Sequence, residues 1–205
     1  MSTYNSNLPD FSFEIQETGR IAGVDEVGRG PFAGPVVAAA VILDPENIPV
    51  GLQDSKKVSK VRREKLYDDI YHVATVGIGE ASVQEIDRLN ILQASLLAMR
   101  RAVAALPNRP DVALVDGNKD PKLGLPTRLI VKGDSRSLSI AAASIVAKVT
   151  RDRKMCALAE KFPHYGWEKN AGYGTAEHRK GLIGFGVTPQ HRRSFAPIRA
   201  LLNHD

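Results

Sequence analysis

Apolar positions draw the first outline of this chain. Ile21-Ala-Gly-Val-Asp-Glu-Val27 and Val36-Val-Ala-Ala-Ala-Val-Ile-Leu43 read as two strands. They are joined by the Gly and Pro punctuation of Gly28-Arg-Gly-Pro-Phe-Ala-Gly-Pro35, which predicts an antiparallel pair with a long turn. Ser59 then caps a helix whose Leu66, Ile70 and Val73 fall at i, i+4 and i+7, with Lys60, Arg62, Arg63 and Lys65 on its early turns. Val76-Gly-Ile-Gly-Glu-Ala81 predicts a third strand, its glycines placed where something approaches closely. Ser82 and Glu85 have capping-box spacing, and Asn90 opens a further helix through Leu92, Leu96, Met99 and Val103 to a stop at Pro107.

Val112-Ala-Leu-Val115 and Leu129-Ile-Val131 are short, apolar and non-alternating, as expected of strands buried on both faces of a parallel sheet. The longest helix starts around Ser135 and runs through Ile140-Ala-Ala-Ala-Ser-Ile-Val-Ala147 to about Lys161, with small residues that let it lie close against the sheet. The pattern predicts one α/β domain, a mixed central sheet flanked by helices, its first strands antiparallel and its later strands parallel. Residues 1–13 lack periodicity and are expected to form a flexible arm, leaving 14–205 as the folded domain. Its end, about 162–205, is richer in Gly, His, Arg and aromatics and forms a small helical and loop segment.

Composition narrows the class. A chain of 205 residues with 43% hydrophobic and 25% charged residues builds its own core without a staple. Its longest apolar run is far too short to cross a bilayer, so neither secretion nor membrane insertion is expected. A single cysteine, Cys156, excludes an internal disulfide and a multi-thiolate zinc site, and a reducing cytoplasm is the expected compartment. Twenty-eight Lys and Arg against 23 Asp and Glu give a net charge of +5, which leans towards a polyanionic partner.

Against that basic background, the acids inside strands stand out. Asp25 and Glu26 sit side by side in an apolar strand, and buried adjacent carboxylates demand a partner or a bound cation. Asp116 ends one later strand, and Asp134 follows another across Lys132-Gly133. The carboxyl edge of an α/β sheet is where such residues meet whatever their separation in sequence. Each has a plainer reading: Glu26 pairing with Arg29 at a sheet edge, Asp116-Gly117-Asn118 as a turn, Asp134 as a helix cap. Together they form an oxygen-rich cluster suited to hard cations, Mg²⁺ or Mn²⁺. Divalent metals let carboxylates approach phosphates that Lys and Arg would hold, which points to metal-assisted phosphodiester chemistry. The Gly28-Arg29-Gly30 loop lies directly beside the first two acids and offers main chain free of bulky side chains.

These residues bring a resemblance into view. Gly23-Val-Asp-Glu-Val-Gly-Arg-Gly-Pro-Phe-Ala-Gly-Pro-Val-Val-Ala-Ala-Ala-Val41 resembles the opening signature of bacterial ribonuclease HII. Asp54-Ser-Lys56, Val115-Asp-Gly117, Lys132-Gly-Asp134, Ala141-Ala-Ala-Ser-Ile-Val-Ala-Lys148 with Arg151-Asp-Arg153, Gly172-Tyr173 and His191-Arg-Arg-Ser-Phe195 follow in that family's order. The resemblance implies an RNase H-like fold and endonucleolytic cleavage of RNA paired with or joined to DNA, including cleavage 5′ to ribonucleotides embedded in DNA. It also implies that Asp25, Glu26, Asp116 and Asp134 bind the metals, that Gly28, Arg29 and Gly30 recognise the ribose 2′-hydroxyl, that Tyr173 packs on the neighbouring sugar, and that Lys56 lies near the substrate backbone.

Lys148, Arg151, Arg153 and Lys154 on the long helix, with Arg192 and Arg193 in the C-terminal segment, are candidate phosphate contacts or simply solvated charge. The five histidines show no metal-ligand spacing, and Cys156 reads as a small helix-packing residue. A DNA nuclease, a junction resolvase or a general hybrid nuclease would share the carboxylates, and a non-catalytic binder would leave them unexplained. One active site on one duplex makes a monomer the expectation.

Overall fold

A computed structural model of the protein describes residues 8–203. Five strands, β1 (Ile21–Val27), β2 (Val36–Ile42), β3 (Thr75–Ala81), β4 (Val112–Asp116) and β5 (Thr127–Ile130), form one sheet in the order β3-β2-β1-β4-β5. β1 pairs antiparallel with β2, and β2 with β3; β1 pairs parallel with β4, and β4 with β5. This is the mixed sheet expected of the sequence. Register matters most at β1. Val24 lies opposite Val115, so the next residues along, Asp25 and Asp116, are brought to adjacent strands at the same level.

Helices cover both faces. They are α1 (Lys60–Val73), α2 (Val83–Leu89), α3 (Ile91–Ala104), α4 (Leu138–Lys161), α5 (Trp167–Asn170), α6 (Ala176–Phe185) and α7 (Ala196–Leu202). Alternate residues of β2 serve the two layers. Ala38 and Ala40 join Ala94, Ala98 and Ala102 of α3, whereas Ala39 and Val41 join Leu66 and Ile70 of α1 and Ala142 and Ile145 of α4. A strand buried on both sides has no polar face, hence the unbroken apolar run of β2.

Local signals hold at the helix starts. The Ser59 hydroxyl accepts from the Arg62 amide, the Ser82–Glu85 capping box makes both of its bonds, and the Asn90 side chain accepts from the Gln93 amide. The glycines of β3 are explained by α3. A Cβ on Gly79 or Gly77 would lie 2.1 Å from the Ala98 carbonyl oxygen or 2.2 Å from that of Ala102.

Three expectations are corrected. β5 is an edge strand, not one buried on both faces: Leu129 is 37% exposed, and Val131 lies beyond the strand end. The long helix starts at Leu138 with Ser137 as its cap, because Gly133–Ser135 forms a separate 3₁₀ turn. Residues 8–13, assigned to the arm, belong to the body. Asp10 bridges to Ser137 and donates to the Arg136 carbonyl, and the Phe13 ring lies between the guanidinium groups of Arg128 and Arg136, each 4.9 Å away. The first seven residues of that arm lie outside the described residues.

The C-terminal helices pack on the far end of α4 through Met155, Tyr165, Trp167, Leu182 and Ile198, with Ala33 of the β1–β2 loop in the same cluster. Among the described residues no helix is long and apolar enough to cross a membrane.

Candidate active site

Four chain segments meet at the carboxyl ends of β1 and β4. β1 carries Asp25 and Glu26, β4 ends in Asp116, the 3₁₀ turn after β5 carries Asp134, and Asp54-Ser-Lys56 precedes α1. A cleft of about 180 Å³ is lined by all four acids, by Gly28, Arg29 and Gly30, and by Lys56, Ser55, Ser144 and Tyr173. The sheet thus unites acids up to 109 positions apart, Asp25 to Asp134, as the carboxyl-edge argument requires, and the C-terminal segment brings Tyr173 to the same cleft.

Charge is crowded here. Asp25 is 6% exposed, and burial together with the charges of Glu26, Asp116 and Asp134 holds its carboxyl well above the ordinary aspartate range. Burial pushes Glu26 up to about 7 against the pull of Arg29, whose Nη1 lies 3.4 Å from Glu26 Oε1. The sheet-edge pair considered for Glu26 therefore forms while Glu26 still lines the cleft. Asp116 is raised by burial, opposed by the Gly133 amide and Lys56; Asp134 is raised by burial and by Asp54 and Asp116. Among the described residues, Arg29 beside Glu26 and Lys56 near Asp116 and Asp134 are the cations that face the four carboxylates, and all four are still raised. Such a set is held against mutual repulsion by the fold and is relieved by divalent cations.

Hard oxygen donors fit Mg²⁺ or Mn²⁺. Among the described residues no three His, Cys, Asp or Glu side chains already close on a point as a metal cage. Mg²⁺ is ordinarily held by one or two carboxylates, with waters and substrate phosphates completing its shell, and an open cleft of carboxylates suits that mode.

The glycine loop presents main chain. Among the described residues, the Arg29 and Gly30 amides donate to no protein acceptor. Tyr173, 46% exposed, stands across from them, and a Cβ on Gly30 would lie 3.3 Å from its Cε1. Loop and ring together bound one wall of the cleft.

The basic residues are sorted differently from the sequence expectation. Arg151 and Arg192 are 1% and 0% exposed, with every hydrogen bond spent on main-chain carbonyls, so neither is open to a phosphate. This corrects their placement among the substrate contacts. Lys148 is half-buried and pairs with Asp152 at 2.8 Å, away from the cleft lining. Arg153 pairs with Glu64, and Lys154 with Glu80. Arg193 is exposed, its amide held by Asp87 Oδ2. Lys56 alone of the candidate lysines and arginines other than Arg29 lines the cleft.

Sequence reasoning missed several members. Ser55 and Ser144 are buried and bonded to each other at 2.9 Å on the cleft wall; a lone serine in the alanine-rich run of α4 was the available sign. Asp87 caps the Arg193–Ser194 turn from 106 residues away, and nothing local announces it. His178 and His191 are buried, with Nε2 atoms 3.0 Å apart beside Trp167. They are a structural pair under the Tyr173 turn, and among the described residues no third ligand joins them.

Comparison with known proteins identifies the family of the fold that carries this cleft. The family model of ribonuclease HII matches residues 22–198. The ribonuclease HII of Ruegeria pomeroyi is 61% identical over 199 residues, 95% of this chain and 85% of that protein. That of a Jannaschia species is 60% identical over 195 residues, 95% of this chain and 98% of that protein. The solved ribonuclease H2 of Pyrococcus horikoshii superposes with a TM-score of 0.76 at 28% identity, covering 90% of this chain and 98% of that one. By this match over residues 22–198, which takes in the cleft, the chain belongs to the ribonuclease HII family and is a type 2 ribonuclease H, an endoribonuclease of RNA–DNA hybrids.

Proposed function

We propose that the protein cleaves the RNA strand of RNA–DNA hybrids and also cuts 5′ to ribonucleotides embedded in duplex DNA, leaving 3′-hydroxyl and 5′-phosphate ends. The observation that carries this reading is one cleft holding four desolvated carboxylates opposite two free main-chain amides and an exposed tyrosine ring. A hydroxyl is both donor and acceptor, so a reader of the ribose 2′-hydroxyl needs main-chain groups close to the scissile phosphate, which the Gly28–Gly30 loop supplies. Tyr173 packs on the adjacent sugar, and a hydroxyl misplaced against its ring loses hydration without gaining a partner.

Asp25, Glu26, Asp116 and Asp134 hold the divalent cations, Mg²⁺ or Mn²⁺. When bound, such cations lower the pKa of a coordinated water and stabilise charge on a departing oxygen. Asp25 and Asp116, at one level of the sheet, are placed to share them, with Glu26 and Asp134 flanking. Lys56, close enough to draw down both Asp116 and Asp134, meets the phosphate backbone at the cleft rim. The C-terminal segment from about residue 162 supports Tyr173 and extends the duplex-facing surface. One cleft per chain serves one duplex, and a monomer suffices.

Three labelled duplexes test the reading with Mg²⁺ and with Mn²⁺: DNA with one ribonucleotide, a long RNA–DNA hybrid, and all-DNA, each with an Asp134→Asn control. Metal-dependent cutting 5′ to the lone ribonucleotide, absent from all-DNA and from the control, is the expected result. Cutting of the long hybrid alone would remove the role given to the loop and Tyr173.

A further inference from the structure

Two fully buried arginines lie behind the glycine loop, and neither forms an ion pair among the described residues. An unpaired buried guanidinium is costly unless its donors are all met. Here seven hydrogen bonds engage all six guanidinium nitrogens, and the acceptors are six main-chain carbonyls, Pro35 O serving both arginines. Arg192 donates from Nη1 to Arg29 O at 2.9 Å, from Nη2 to Gly28 O at 2.5 Å and to Pro35 O at 3.2 Å, and from Nε to Gly34 O at 2.9 Å. Arg151 donates to Pro35 O, Ala33 O and Ala171 O, tying the same loop to the turn that carries Tyr173. Arg151 also occupies the space a side chain at residue 28 would need: a Cβ there would lie 2.2 Å from its Nε, at a φ of +98°.

The two carbonyls held by the Arg192 Nη atoms belong to particular peptide groups. The Gly28 carbonyl shares its plane with the Arg29 amide, and the Arg29 carbonyl shares its plane with the Gly30 amide. In a trans peptide the N–H points opposite to the C=O, and there is no cis bond among the described residues. Fixing both carbonyls inward on one rigid fork therefore turns both free amides outward, towards the cleft. We infer that Arg192, with Arg151 behind it, is a positioning residue that aims the Arg29 and Gly30 amides and sets their distance from Tyr173, so that ribonucleotide selectivity is governed by a side chain that never touches substrate. This rests on the reading of the loop and Tyr173 given under Proposed function.

Lysine keeps the charge but has a single nitrogen, which cannot span four carbonyls in one plane. The test uses Arg192→Lys at saturating Mg²⁺ or Mn²⁺ on two duplexes, one with a single ribonucleotide and one with four consecutive ribonucleotides, with folding checked by thermal melting. The expected result is a kcat about 10- to 100-fold lower on the single ribonucleotide with KM changed less than about threefold, since a small misplacement of the reader costs orientation rather than backbone binding. On the four-ribonucleotide duplex, cuts spread from one dominant position to several.

A loss of folded protein lowers every rate and moves no cut, so equal losses with unchanged positions would overturn the inference, as would retained kcat. If Arg192→Lys does not fold, Arg151→Lys carries the same test through the loop-to-Tyr173 distance; failure of both to fold would assign the pair to the fold alone and also overturn it. A wild-type enzyme with no preferred cut among four ribonucleotides would instead refute the junction-reading role of the loop, whatever the variants do.

Discussion

Asp116 Oδ1 accepts a 2.6 Å hydrogen bond from the Gly133 amide, so the carboxylate that ends β4 also anchors the turn that carries Asp134. One side chain thereby has two separable duties, and they respond differently to substitution. Asn retains the carbonyl oxygen that Gly133 needs and removes only the charge. Asp116→Asn is expected to fold normally and to lose at least about 100-fold in kcat, the scale of losing several kcal/mol of charge stabilisation. Asp116→Ala should lose the same activity and melt lower, because the turn loses its anchor. Melting curves with initial rates check this; an active Asn variant would remove Asp116 from the chemistry.

The crowding of Asp25 predicts a trade between stability and function. Its raised carboxyl means that the folded state resists ionisation, so charge at this position opposes folding at neutral pH. Without metal, Asp25→Asn is expected to melt higher than wild type, by about 2–4 °C for each kcal/mol relieved, while being inactive. Mg²⁺ or Mn²⁺ should raise the melting temperature of the wild type more than that of the variant. Equal metal-induced shifts in both proteins would show that Asp25 does not bind the ions.

Two buried groups give opposing pH dependences. Thr188 N donates to His191 Nδ1 at 2.9 Å, and His178 Nδ1 lies 2.9 Å from Tyr173 O. These partners place one proton on His191 Nε2 and one on His178 Nδ1, leaving His178 Nε2 to accept from His191 and from Trp167 Nε1. An added proton finds no acceptor, and burial with the neighbouring His178 lowers His191 to about 4. Its folded value lies below the unfolded 6.5, so its contribution is complete above 6.5 and is lost as pH falls towards 4.

Glu26 runs the other way: raised from 4.5 to about 7, it weakens the fold as pH rises through that interval. In chelator the wild type should therefore show a flattened melting profile between pH 4.5 and 6.5. Glu26→Gln should expose a loss towards acid, and His191→Gln the reverse slope, a gain towards acid. Identical profiles for all three proteins would contradict both assignments.

Gly28 and Gly30 are not equivalent glycines. Gly28 has a φ of +98° and a guanidinium in its Cβ position, so Gly28→Ala is expected to cost about 1–3 kcal/mol of stability. Gly30 has ordinary φ, and its Cβ would only press on Tyr173 at 3.3 Å. Gly30→Ala should melt within about 1 °C of wild type, as surface changes usually do, and show its effect in cleavage rate. Denaturant titration of both variants separates the two roles.

Tyr173 is expected to act through its ring. Tyr173→Phe should keep kcat/KM within about threefold, whereas Tyr173→Ala should lose about 10- to 100-fold on the single-ribonucleotide duplex, the scale of one stacking contact. A Phe variant as poor as Ala would transfer the role to the hydroxyl.

Much of this molecule was decided locally. Capping at Ser59, Ser82 and Asn90, the apolar run of β2 and the glycines of β3 are readable because each depends on neighbours within a few residues or on burial that leaves a compositional mark. The acids were visible because carboxylates inside or just beyond apolar strands are costly and need a reason. Only tertiary structure determined what lies beside what. Arg151 and Arg192 look like surface charge in sequence, since a guanidinium buried on main-chain carbonyls leaves no carboxylate partner to find. Asp87 beneath the Arg193 turn, the His178–His191 pair and the exposure of β5 follow from contacts across more than 10 to more than 100 positions, or from which strand ends at the sheet's rim. Spacing in sequence specifies which residues are able to serve a site, and sheet register, through Val24 opposite Val115, brings them to it.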